Sequence, residues 1–135
     1  MIFEWKAEYN VNVKMIDDQH HRLVELLNQL HTFINEGAPE EKSWGRLVKE
    51  LFDYTLYHFK EEEALMRRHS FDDCQEHMAE HAFFVTRIKS AQDGVEADDL
   101  NVMADLQYFL TVWLQNHILI VDHKLCAFLN KKGIY

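Results

Sequence analysis

The chain has 135 residues, enough for one domain with one core and too few for two. Its apolar fraction of 47%, with 13% aromatics, excludes a disordered chain. The formal charge of −9 excludes a nucleic-acid partner, because phosphate neutralisation needs a basic face.

The first sixteen residues alternate Phe3, Trp5, Tyr9, Val11, Val13 and Ile16 with polar positions, and read as an extended arm (1–16) lying over a helical bundle. Met1-Ile2-Phe3 runs straight into Glu4 and Lys6, so no leader is expected. The bundle occupies 17–132. Its first helix starts near Asp17 as N-cap, carries Leu23, Leu26, Leu27 and Leu30, and stops at Gly37. Pro39, Glu40 and Glu41 suit the opening of a second helix that runs to Arg67, Arg68 and His69, a cationic last turn. Ser70, Asp72 or Asp73 caps a third helix that continues to about Gln92 and closes at Gly94. Asp98 or Asp99 caps the fourth, which ends near Lys131, Lys132 and Gly133. Short connections make consecutive helices antiparallel. The expected fold is all-α, an up-down-up-down antiparallel four-helix bundle with an extended N-terminal arm, in a single domain over 1–135. No apolar stretch approaches the roughly 20 residues that span a bilayer, so a cytoplasmic protein is expected. Cys74 and Cys126 are then free thiols.

Nine histidines are several times the share of an ordinary domain of this size. His58 and Glu62 lie four apart on the inward face of the second helix, with Leu51, Tyr54 and Leu65. His77 and His81 repeat the spacing on the third, beside Phe84 and Ile88. Counted from the intervening turn, His58 comes level with His81 and Glu62 with His77. The first helix adds His20, and the fourth adds His117 and Asp122. Five residues subtend about 140° on a regular α-helix, which puts His117 and Asp122 on opposite shoulders of their stripe, with Asp122 a turn or more too low.

A lone inward histidine is usually a hydrogen-bonded core residue, and one His-x-x-x-His arises easily by chance. Five inward histidines and two inward carboxylates across four helices are different. Glu62 and Asp122 buried without partners would each cost several kcal/mol. The donors exceed the capacity of one ion and suit two bridged borderline metals, among which imidazole accepts iron, copper, nickel or zinc. Two octahedral ions offer about twelve positions, and these donors with one shared oxygen leave one open. The carboxylate-rich bundle site with paired Glu-x-x-His motifs does not apply, since that motif is missing, and so is the His-Glu-x-x-His of zinc proteases.

The pieces Ile16-Asp17-Asp18-Gln19-His20, His58-Phe59-Lys60-Glu61-Glu62-Glu63 with Met66, His77-x-x-x-His81, and Trp113-x-x-x-His117-Ile118-x-x-x-Asp122 resemble the bacterial hemerythrins over essentially the whole chain. Asn12 departs from the glycine often found there. The resemblance implies a metal set of His20, His58, Glu62, His77, His81, His117 and Asp122. It implies two iron ions (Fe2+/Fe3+) with a bridging oxo or hydroxo group, Glu62 and Asp122 as bridges, and His20 and His58 on the more open iron. Dioxygen is the implied ligand, bound reversibly for transport, storage or delivery to an oxygen-consuming system, by a monomer that is not an enzyme. An oxygen or iron sensor and a peroxide- or nitric-oxide-handling enzyme are the competing functions. His21 points about 100° from His20 and reads as surface. His31, His69 and His123 read as structural or solvated, Cys74 as an inert thiol, and Glu61 and Glu63 as a solvated face from which only Glu62 turns inward.

Overall fold

A computed structural model of the chain describes residues 2–37 and 43–135. The helices are α1 (Lys14–Glu36), α2 (Trp44–Arg68), α3 (Cys74–Glu96), α4 (Leu100–Asn116) and α5 (His123–Lys131). The last two are joined without a break by a π-helical segment, His117–Asp122, whose flanking residues keep right-handed helical dihedrals. They form one rod, so the fold is a four-helix bundle. α1 packs on α2 and α4, and α3 packs on α2 and α4, the neighbour relations of an up-down-up-down bundle. No described helix is long and apolar enough to cross a membrane.

Helix ends follow local chemistry with three departures from the sequence pattern. Asp17 is not the cap of α1; Val13 is. The Asp17 carboxylate instead accepts the backbone N–H groups of Val11 (2.9 Å) and Asn12 (3.2 Å), so it anchors the arm. That hold needs a left-handed turn at Asn12 (φ 62°), which asparagine tolerates nearly as well as glycine. Gly94 does not close α3, which runs on to Glu96. A Cβ there would lie 2.6 Å from the Val102 side chain, so the glycine permits close approach of α3 and α4. The described part of α2 opens at Ser43, whose hydroxyl accepts the Arg46 N–H at 3.2 Å. Pro39, Glu40 and Glu41 lie outside the described residues. Asp99 caps α4 through the N–H groups of Asn101 and Val102, and the cationic end of α2 is in place at Arg67 and Arg68.

The arm is pinned at both flanks. Phe3 and the Asn28 amide exchange two hydrogen bonds at 3.0 and 2.9 Å. His123 Nε2 donates to the Glu8 carbonyl at 2.8 Å, and Asn130 Nδ2 donates to the Asn12 carbonyl at 3.0 Å. Between these ties a 3-10 turn, Ala7–Tyr9, interrupts the extended path and packs against the π segment. Phe3, Tyr9, Val11 and Val13 are buried by it, each worth about 1.5–3 kcal/mol if fully removed from water. Toward the α1–α2 and α3–α4 ends of the bundle the interior is filled by Leu30, Leu47, Met103 and Leu106.

Candidate metal centre

All seven candidate ligands converge in the half of the bundle covered by the arm, and each is buried. His58 and Glu62 come from one face of α2, and His77 and His81 from one face of α3. His20 comes from the second turn of α1. His117 and Asp122 sit at the two ends of the π segment. The opposite-shoulder placement expected for these last two is corrected here. An i→i+5 bonding pattern widens the turn, so residues five apart come nearly into line. His117 Nε2 lies 3.1 Å from Asp122 Oδ1, so the π segment brings the two side chains to the same centre.

Each carboxylate faces two ways. Glu62 Oε1 is 3.1 Å from His81 Nε2 and 3.4 Å from His77 Nε2, while Oε2 is 3.4 Å from His58 Nε2. Asp122 Oδ1 is 3.1 Å from the Nε2 atoms of both His77 and His117, while Oδ2 is 2.8 Å from His20 Nε2. Two donor groups result: Glu62, His77, His81 and His117 on one side, and His20, His58, Glu62 and Asp122 on the other. Within each, the ligand atoms lie within 4.8 Å of one another. Most of these short contacts lack hydrogen-bond direction: the Nε2 atoms of His20, His58, His77 and His117, Glu62 Oε2 and both Asp122 oxygens have no hydrogen-bond partner. Buried nitrogen and carboxylate atoms that converge without hydrogen-bond geometry suit cations placed between them, and the residues present fit two metal ions.

The charge pattern agrees. Burial holds His58 down to about 4, in its neutral form. Burial also opposes charge on His77 and His117, but the Asp122 and Glu62 carboxylates outweigh it and push them up to about 9 and about 10. Burial would raise both carboxyls; the surrounding imidazoles hold Glu62 and Asp122 well below their usual range instead. In the metal-free chain two imidazolium ions thus balance two carboxylates, and metal uptake must displace those protons.

A further ring of side chains supports the donors, and the sequence pattern missed two of them. Gln19 Oε1 accepts from His58 Nδ1 at 2.6 Å, and Glu63 Oε2 accepts from His81 Nδ1 at 3.1 Å. Either bond puts the proton on Nδ1 and leaves Nε2 facing the centre. Glu63 is therefore not part of a solvated face. The rule that a ligating histidine donates its outer N–H was the available signal, but it names no partner. Phe59 stacks on His81 (3.8 Å between ring centroids) and Trp113 on His117 (4.3 Å). Beside His58 and His117 lies a cavity of about 20 Å³ walled chiefly by Leu23, Leu27, Leu51, Leu110 and Leu114.

The remaining histidines stay outside. His21 is exposed and stacks on Trp5, His31 meets Asn35 and Gln107, His69 ends α2, and His123 holds the arm. Both cysteines are free. Cys74 is half-buried against Met78, and burial pushes the Cys126 thiol far up, so it stays protonated.

A protein-family model, the hemerythrin HHE cation binding domain, matches residues 11–129. A bacteriohemerythrin of Methylococcus capsulatus is 35% identical over 116 residues, covering 86% of this chain and 87% of its own. One of Stenotrophomonas maltophilia is 32% identical over 114 residues, covering 84% and 72%. A crystal structure of wild-type hemerythrin superposes with a TM-score of 0.83 at 33% identity, covering 94% of this chain and 97% of that one.

Proposed function

The chain belongs to the hemerythrin family, and from that premise we propose that it binds dioxygen reversibly at a non-haem di-iron centre, as a carrier or store for an oxygen-consuming system rather than as an enzyme. The observation that carries this reading is the three-to-two division of five buried imidazoles about Glu62, common to both donor groups, and Asp122, whose two oxygens meet His77 and His117 on one side and His20 on the other. His77, His81 and His117 would hold one iron and His20 and His58 the other, with Glu62, Asp122 and an oxo or hydroxo group as bridges. Bound iron would supply the electrons and the coordination position that dioxygen needs, which no side chain can offer.

The protein's own groups do the rest. Five imidazoles, two shared carboxylates and one shared oxygen would together fill all but one of about twelve coordination positions and leave little room for a second reactant. The cavity beside His58, about 20 Å³, can hold one water-sized or diatomic guest. Pockets for organic substrates run to about 300–1,000 Å³, so the space favours binding a small gas over processing a larger molecule. The leucine walls offer a water molecule no hydrogen bond, which protects a bound gas from displacement. Gln19 and Glu63 keep the imidazoles turned inward before any ligand arrives.

Iron-loaded protein, reduced without air, should contain about two irons per chain and develop a visible absorption band in air. The band should fade under vacuum and return over several cycles. Continuous oxygen consumption with a reductant, and no coloured species, would replace this reading with an enzymatic one.

A further inference from the structure

We propose that Glu63 is a positioning residue for the three-histidine side of the centre, holding His81 by charge where Gln19 holds His58 by a neutral amide. The inference rests on the iron-binding reading above. Glu63 follows Glu62 on α2 and so points about 100° away from it, toward α3. Its side chain is 20% exposed, and Oε2 reaches His81 Nδ1 at 3.1 Å. Oε1 lies 3.9 Å from Arg67 Nη2, a contact that leaves Arg67 exposed.

The two supports are chemically unlike. The Nδ1 atoms of His20, His77 and His117 have no hydrogen-bond partner, so side chains hold Nδ1 of His58 and His81 alone among the five, one on each side of the centre. An amide oxygen orients the ring. A carboxylate also draws the Nδ1 proton toward itself, which raises electron density at Nε2 and makes the imidazole a stronger donor. The charged support therefore sits on the side with three imidazoles, and would favour the ferric state of an iron held there. Phe59, stacked on the face of His81, fixes the plane of the ring in which the Nδ1–H reaches Glu63.

Three variants separate this role from simple packing between α2 and α3. Glu63→Ala should weaken iron binding about 10–100-fold in competition with a chelator. Glu63→Gln keeps an acceptor and should restore most of that affinity. It should still raise the midpoint potential of the loaded protein, at ~59 mV for each tenfold loss of ferric over ferrous preference. Arg67→Ala should match wild type in both measurements. A wild-type potential in Glu63→Gln would overturn the charge role, and wild-type affinity in Glu63→Ala would overturn the positioning role. Wild-type protein that takes up no iron sinks the functional reading itself. Normal wild-type loading with no difference among the variants sinks only the role of Glu63.

Discussion

The two ends of this bundle are built from the same rods in opposite ways. Near the connections from α1 to α2 and from α3 to α4, the interior is Leu30, Leu47, Met103, Leu106 and Val95 on regular α-helix. Near the arm, the same rods bury five imidazoles and two carboxylates, and one of them breaks into a π segment to do so. Burial is favourable by itself at the first end. At the second it is costly until a cation arrives, because converging donors leave one another unsatisfied. The apolar end supplies stability that the metal end draws on, and the arm, tied to Asp17 of α1 and His123 of α5, covers the costly half.

That contrast can be broken at several points. Glu62→Ala removes the one group common to both donor sets, and should abolish tight occupancy of the metal pair, read as iron per chain after dialysis. The bundle should still fold by circular dichroism; loss of the fold would mean the metal end holds more of the stability than the apolar end. Leu106→Ala makes the opposite cut. It should cost about 2–5 kcal/mol in denaturant unfolding, with iron content unchanged, and a loss of iron in parallel would show the two ends to be coupled.

The pH dependence of the metal-free chain tests the polar half alone. His77 and His117 are raised from 6.5 to about 9 and about 10, so their contribution is complete below 6.5 and is lost as pH climbs through those values. His58 is lowered from 6.5 to about 4, and its contribution is present above 6.5 and lost as pH falls toward 4. Melting temperature should therefore peak near neutrality and decline toward pH 10 without metal. Iron-loaded protein, whose imidazoles are neutral ligands, should not show the alkaline decline. A flat metal-free profile from pH 7 to 10 would refute the imidazolium–carboxylate balance. The smallest effect is expected at His69→Ala, outside both ends' interiors, with stability within about 0.5 kcal/mol of wild type and iron unchanged.

Much of the centre was legible from spacing. Four-residue separations at His58–Glu62 and His77–His81 place each pair on one face by helix geometry alone, and the leucine stripes say which face turns inward. The ends of helices were less so. Asp17 has the chemistry of an N-cap yet serves the arm, and Gly94 has the look of a stop yet lets Val102 approach. Both depend on what another segment brings to that point in space.

The sequence by itself determined the four rods, their antiparallel order and the shared inward faces of His58 with Glu62 and of His77 with His81, because those come from periodicity within each helix and from short connections. The full set of seven candidate donors came with the family resemblance. Tertiary structure alone decided that His117 and Asp122 share a face through a π turn. It also decided that Glu63 turns to His81 and Gln19 to His58, and that a cavity of about 20 Å³ remains beside the donors. The reason is physical. A one-residue widening of a helix, or a bond between side chains on different rods, is a choice among local states of similar energy, and only packing against the neighbouring rods selects one.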